Sequence, residues 1–222
     1  YADCLERTRG RFRWVAFIDI DEFLFSPTGR SLPAVLQSFA AHPGVVVHWQ
    51  CYGSNGQQAA GDAPVTERFT RRAPTGWVRN RKVKSIVDPA RAIEVRSVHH
   101  FGYLDGAQAV DETGLPVGFR SKSPFKRPLK RWYGRLWGPF RPLLRRMPID
   151  PYTGTDIARP GVTAALLRIN HYPVKSREEF RMKLQLQQES RRYEDMDYFT
   201  FHDRNEVHDP ILVDFSARFG RL

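Results

Sequence analysis

An uncharged apolar run, Trp14-Val15-Ala16-Phe17-Ile18, stops abruptly on Asp19-Ile20-Asp21-Glu22-Phe23. No other stretch of the chain restricts its fold as much. A short apolar run ending on acids reads as a buried parallel strand whose carboxyl end opens into a site. In open α/β sheets, ligands sit in the crevice outside such strand ends. Asp19 and Asp21 lie two residues apart, so on a regular strand both carboxylates point the same way. They repel each other unless a cation sits between them. Hard oxygen ligands suit Mn²⁺ or Mg²⁺, ions that commonly bridge to a substrate's phosphates. The functional expectation is a divalent metal holding a phosphorylated ligand. The alternative is a solvated strand end with two acids in a turn.

Local patterns order the rest of the chain. Residues 1–9 read as a helix closed by Gly10, and Leu32, Val35, Leu36 and Phe39 line one face of a second helix that stops at His42-Pro43-Gly44. Val45-Val46-Val47-His48-Trp49 is a second strand of buried type, so residues 13–50 read strand, helix, strand, the parallel α/β unit. Residues 53–64 are small and polar, a long flexible loop able to close over a ligand. Extended structure is expected to resume over Val65-Thr66-Glu67-Arg68-Phe69, and to recur over residues 82–87, 92–98 and 162–169. Ser176-Arg177-Glu178-Glu179 is a capping box that starts a helix expected to run to about Tyr193. The tail from Asp203 is short and mixed, and there are no internal repeats.

The chain of 222 residues is expected to form a single domain, residues 1–222, with a real core. Residues 120–148 change character. They carry ten Lys and Arg, no acid, and interleaved Trp132, Tyr133, Trp137 and Phe140. This reads as a basic aromatic insertion suited to peripheral contact with an anionic membrane surface, or more plainly as a solvated insertion. A net charge of +11 favours anionic partners, without choosing among nucleotides, phosphates, lipid and nucleic acid. Cys4 and Cys51 are the only cysteines, too few for a disulfide framework, which favours a reducing compartment. The expected setting is therefore cytoplasmic, peripheral to membrane at most.

Strands ending at Asp19, at His99-His100 and at His171 can converge on one sheet edge. Two carboxylates and an imidazole, Asp19, Asp21 and His171, would then form an octahedral Mn²⁺ site completed by water and a diphosphate. Lys175, at the mouth of the capped helix, would meet the diphosphate oxygens together with free helix amides. Metal and ammonium both neutralise charge that grows on a departing nucleoside diphosphate.

Four blocks carry a family resemblance. They are Trp14-(x)2-Phe17-(x)1-Asp19-(x)1-Asp21-Glu22-Phe23, Lys84-Ser85-Ile86, His99-His100-Phe101, and Asn170-His171-Tyr172-(x)2-Lys175-Ser176-(x)1-Glu178-Glu179-Phe180. Together with Trp49-(x)2-Tyr52-Gly53-Ser54 and Glu67-Arg68-Phe69, they resemble glycosyltransferase family 92. The resemblance implies an α/β, GT-A-like (Rossmann-like) fold with a mixed, mostly parallel sheet flanked by helices. It also implies a nucleotide-sugar donor, usually UDP-galactose, a divalent metal, a glycan or other hydroxyl acceptor, and transfer with inversion. By the same resemblance Asp19 and Asp21 form the metal and diphosphate motif, His171 is the third ligand, and Lys84 and Lys175 join the donor-binding set. The family carries a further strand–helix region before the stretch like Tyr1-Ala2-Asp3-Cys4, so part of the donor pocket is expected to lie outside this sequence. Tyr52 stands where Phe is more usual, and residues 120–148 have no counterpart.

An inverting transfer needs a general base for the acceptor hydroxyl. Glu67, after the loop and beside Arg68, is the candidate, with Glu22 and Asp62 as other options. Two rival readings remain at this level. One is a haloacid-dehalogenase-like phosphatase with Asp19 as nucleophile and Asp21 as acid/base, although Glu22-Phe23 would crowd a phosphoryl pocket. The other is a basic nucleic-acid or membrane-binding module whose binding would fall steeply with salt. No specific nucleic-acid partner is expected.

Overall fold

The structure, a computed structural model, describes residues 1–97, 99–120, 156–157, 161–188 and 196–214. Its central element is β3 (Gly44–Cys51), whose eight residues are all buried. A strand with no exposed position must be covered on both faces, and that fits the middle of a sheet. On one side β3 pairs antiparallel with β5 (Val83–Val87), and on the other it pairs parallel with β10 (Arg168–His171). Outside these lie β1 (Val15–Ala16), antiparallel to β5, and β2 (Glu22–Phe25), antiparallel to β10. The order is β1-β5-β3-β10-β2.

Two expectations are corrected here. The sheet is mixed as expected but not mostly parallel, because only the β3–β10 pairing is parallel among the four. The run before the acidic turn is not a buried central strand either. It is a two-residue edge strand, Val15–Ala16, after which Phe17 turns inward while Ile18 and Ile20, like Ala16, face out. One face of an edge strand can carry apolar residues without being covered, so the absence of charge did not imply burial.

Helices cover the sheet as the periodicity predicts. Ser31 caps α2 (Leu32–Leu36) by accepting from the Ala34 amide, and the helix ends in a 3₁₀ turn, Gln37–Phe39. Val35, Leu36 and Phe39 pack with Val45, Val47, Trp49 and Ile169 on one face of the sheet. On the opposite face Val46, Val83 and Val87 meet Phe17, Phe101 and Leu5, the last from α1 (Ala2–Thr8). Phe101 belongs to β7 (His100–Tyr103), which pairs with β6 (Ala92–Ser97).

Two further readings change. Val65–Arg68 forms one helical turn, α3, and not a strand; the Glu67 and Arg68 amides bond to the Pro64 carbonyl. The β-branched start of that segment misled because Pro64 ends the preceding loop in a conformation ready for a helix. Of residues 162–169, only Arg168 and Ile169 enter a strand. The amides of Ala165, Leu166 and Leu167 instead donate to the Glu112 carboxylate at 2.8, 2.7 and 2.6 Å, so no ladder partner is needed there.

The capping box forms as expected at α4 (Arg177–Gln188). The Glu179 amide donates to Ser176 Oγ at 3.2 Å, and the Ser176 amide donates back to Glu179 Oε2 at 3.1 Å. The extension toward Tyr193 and the basic aromatic stretch of 120–148 lie outside the described residues, apart from Arg120. Arg120 belongs to β8 (Phe119–Arg120), which pairs antiparallel with β9 (Asp156–Ile157), so the two ends of that long segment meet.

The tail is more ordered than its mixed composition suggests. α5 (Met196–His202) leads into it, and its described part, to Asp214, contains β11 (Val207–His208), which pairs with β4 (Arg71–Arg72). Asp209 then accepts from Arg72 at 2.5 Å and from the buried Arg168 at 2.8 Å. Arg168 also donates to Asn170 and to the Tyr52 hydroxyl, both at 2.7 Å. One buried network therefore joins β10, the end of β3, β4 and the tail.

Candidate functional site

Because β3 and β10 run parallel, their carboxyl ends lie side by side, with His171 in register with Cys51. Glu22, the first residue of β2, pairs with His171 from the other side. The acidic turn is thus delivered to the sheet edge where two strands end. It is held by its own backbone: the Glu22 amide donates to the Asp19 carbonyl at 3.0 Å, and the Tyr172 amide donates to the Asp21 carbonyl at 2.9 Å. The Asp19 amide donates to Glu22 Oε2 at 3.0 Å.

Lys84 reaches this turn from β5. Its side chain is only 1% exposed, and its Nζ lies 2.8 Å from Asp19 Oδ2 and 3.8 Å from Glu22 Oε2. A buried ammonium survives only with such partners. Glu22 is fully buried, its Oε1 has no hydrogen-bond partner, and burial raises its carboxyl to about 8. Glu22 is therefore protonated at neutral pH. In the unfolded chain it titrates near 4.5. The folded state then holds a proton that the unfolded state has lost, so stability falls as pH rises from about 4.5 to about 8. Glu22→Gln imitates the protonated form. In metal-free buffer the wild type should lose on the order of 3 kcal/mol relative to this variant between pH 5 and pH 9, measured by urea unfolding. Parallel pH profiles for the two proteins would show that Glu22 ionises normally.

Asp21 Oδ1 stands 3.7 Å from His171 Nε2. Burial pushes the imidazole well below its usual range, with Arg79 adding to the effect. The pair is thus a carboxylate facing a neutral ring nitrogen, too far apart for a hydrogen bond. Trp49 packs on the imidazole with ring centroids 4.2 Å apart, and Cys51 Sγ lies 3.9 Å from Nδ1. Burial also raises the Asp21 carboxyl, an effect reduced first by Lys183 and further by Lys175. Lys183 Nζ is 3.9 Å from Asp21 Oδ2 and 3.3 Å from the Pro173 carbonyl to which it donates. Lys175 precedes the capped helix in a left-handed conformation, φ 55°, which is uncommon for a side chain of this kind. His99 joins the cluster with Nδ1 2.8 Å from the Val83 carbonyl; burial first and Lys84 second lower it to about 4.

Asp19, Asp21, Lys84, His171 and His99 come together, and Lys175 acts on Asp21 through its charge. His100 does not join them; it lines a cavity of about 250 Å³ with Arg96, Phe101 and Tyr103. Among the described residues the Glu67 carboxylate makes no hydrogen bond or ion pair, while its neighbour Arg68 is committed to Glu179 at 2.9 and 3.0 Å. Asp62 is exposed in the loop. The first half of that loop is pinned, because Gln57 and Gln58 carbonyls accept from the Arg177 and Glu178 amides. Lys183 was missed, although the signal was present: it lies two helical turns after Ser176, on the face that returns to the helix mouth.

Among the described residues no three His, Cys, Asp or Glu side chains stand together as a ready metal cage. Asp21 and His171 face one another, a carboxylate oxygen that suits Mn²⁺ or Mg²⁺ and a neutral imidazole nitrogen that Mn²⁺ accepts more readily than Mg²⁺. Asp19 is turned to Lys84 instead.

A mixed α/β sheet thus gathers acids, imidazoles and lysines where β3 and β10 end. The profile of glycosyltransferase family 92 matches residues 1–113, half of the chain. A glycosyltransferase family 92 protein of Oryza sativa subsp. japonica is 33% identical over 118 residues, covering 50% of this chain and 19% of its own length. A second, from Ricinus communis, is 32% identical over 117 residues, covering 50% of this chain and 20% of its own. The match therefore spans about a fifth of the length of these curated relatives. The chain belongs to glycosyltransferase family 92. This membership displaces the phosphatase reading. Among the described residues no helix is long and apolar enough to cross a membrane.

Proposed function

We propose that the protein is a metal-dependent glycosyltransferase that moves a sugar, galactose from UDP-galactose in the first instance, to a glycan or other hydroxyl acceptor with inversion. The observation that carries this reading is the acidic turn itself: Asp19 and Asp21 lie at the ends of β3 and β10, opposite His171 and ringed by Lys84, Lys175 and Lys183. Family membership supports the reaction class. Asp21 and His171, with Asp19 as third donor on release from Lys84, would hold Mn²⁺ or Mg²⁺, which supplies Lewis-acid stabilisation of a leaving diphosphate when bound. Lys175 and Lys183 would bind and neutralise the donor's phosphates, while the buried Lys84 would act through its charge and its hold on Asp19. His171, kept neutral by burial, presents an unprotonated nitrogen at physiological pH. The GT-A-like arrangement and the single-domain organisation are part of the same proposal. The presence of two cysteines only, Cys4 and Cys51, supports a reducing, cytoplasmic setting. Contact of residues 120–148 with an anionic membrane rests on their composition alone.

Glu67 is the proposed general base, supported by its place on α3 after the loop. Glu67→Gln should lower turnover about 100-fold or more while leaving donor binding intact, since a base acts on the acceptor proton and not on the donor. Turnover equal to wild type would remove Glu67 from the role. The reading as a whole is tested with a panel of nucleotide sugars and free Mn²⁺. Mn²⁺-dependent binding of one donor by the full chain supports it, whereas binding that ignores both metal and sugar overturns it.

A further inference from the structure

Lys183 stands apart from the other cations of the site. It projects from α4, its side chain is 34% exposed, and its Nζ lies 3.9 Å from Asp21 Oδ2. Lys84, by contrast, is 1% exposed and is held at 2.8 Å by Asp19. A buried lysine held by a carboxylate at hydrogen-bonding distance cannot leave. A long, partly solvated lysine can, because 3.9 Å is beyond hydrogen-bonding distance from the carboxylate. Asp21 therefore has a counter-ion that can be exchanged.

A divalent cation arriving at Asp21 and His171 would meet the Lys183 ammonium at close range, and like charges at that separation repel. The ammonium must give way, and a diphosphate held by the cation offers it a better partner through charge-assisted hydrogen bonds. We propose that Lys183 is a diphosphate-binding residue that guards Asp21: it neutralises the carboxylate in the free protein and passes to the ligand's phosphate when the cation takes its place. This rests on the metal and diphosphate reading above. No covalent bond changes in the exchange, and charge is balanced throughout.

The consequence is coupling. Cation alone binds against Lys183, and cation with diphosphate binds with its help. By linkage, UDP must then raise Mn²⁺ affinity by the same factor as Mn²⁺ raises UDP affinity. Removing the charge should tighten Mn²⁺ binding in the absence of nucleotide and weaken UDP binding in its presence.

The test uses the full chain with Mn²⁺ and UDP as probes. Free Mn²⁺ is counted by electron paramagnetic resonance and UDP binding by calorimetry. Lys183→Met is compared with Lys183→Gln, which retains a donor for the Pro173 carbonyl and so controls for loss of that bond. Both variants should bind Mn²⁺ alone roughly five-fold more tightly and UDP with Mn²⁺ roughly ten-fold more weakly. Weaker UDP with unchanged Mn²⁺ affinity would make Lys183 a phosphate ligand only and overturn the exchange. Unchanged affinities for both would make it a solvated cation and overturn the proposal. A wild type that takes up no Mn²⁺ overturns the metal reading itself, a separate outcome from failure of the exchange.

Discussion

Asp21→Asn is expected to lower sugar transfer by about a thousandfold without lowering thermal stability. Asparagine keeps the size of the side chain and leaves untouched the backbone carbonyl that accepts from Tyr172. Only the charge facing His171 and Lys183 disappears. That charge is unfavourable to the fold, because burial raises the Asp21 carboxyl and Lys183 only partly offsets the effect. Removing it should therefore leave the melting temperature equal or higher. A residue retained for chemistry at a cost in stability behaves in this way. Turnover of the variant and its melting curve decide the matter together. Retained turnover would detach Asp21 from catalysis, and a collapsed fold would make it a structural acid.

The second large effect concerns stability. Arg168→Met should cost about 3–5 kcal/mol, because it removes one partner of a buried ion pair and leaves the other. Arg168 holds Asp209 at 2.8 Å and the Tyr52 hydroxyl and Asn170 at 2.7 Å each. With Arg168 gone, Asp209 keeps Arg72 alone, and the hydroxyl and amide lose a donor in a closed space. Burial acts against the Asp209 charge, but Arg168 and Arg72 outweigh it and hold the carboxyl below its usual value. That stability is present at neutral pH and is lost as pH falls through the folded-state value. The double variant Arg168→Met with Asp209→Asn should recover part of the loss, since it no longer strands a charge. Urea unfolding of the single and double variants measures both terms. If the single variant unfolds at the wild-type urea concentration, the network contributes nothing to the fold.

Much of the local structure was legible. The capping box of Ser176 and Glu179 and the helix through Leu32, Val35, Leu36 and Phe39 follow from contacts within one or two turns. The acids of the turn and His171 were also singled out from their positions at apolar segment ends. Misreadings arose where a distant residue intervened. Glu112 takes the amides of Ala165 to Leu167, and so shortens β10. The tail reads as mixed because its order comes from pairing with Arg71 and Arg72, more than a hundred residues away.

What the residues determined alone is a set of short-range facts: where helices start, which run carries no charge, and which acids lie two apart. Tertiary structure decided that β3 and not β1 is central, that the sheet is mostly antiparallel, and that Lys84 serves Asp19 while Lys183 serves Asp21. It also decided that Glu22 is protonated and His171 neutral. The reason is physical. Periodicity and capping depend on neighbours along the chain, whereas burial, strand order and the charge state of a side chain depend on what the fold places around it.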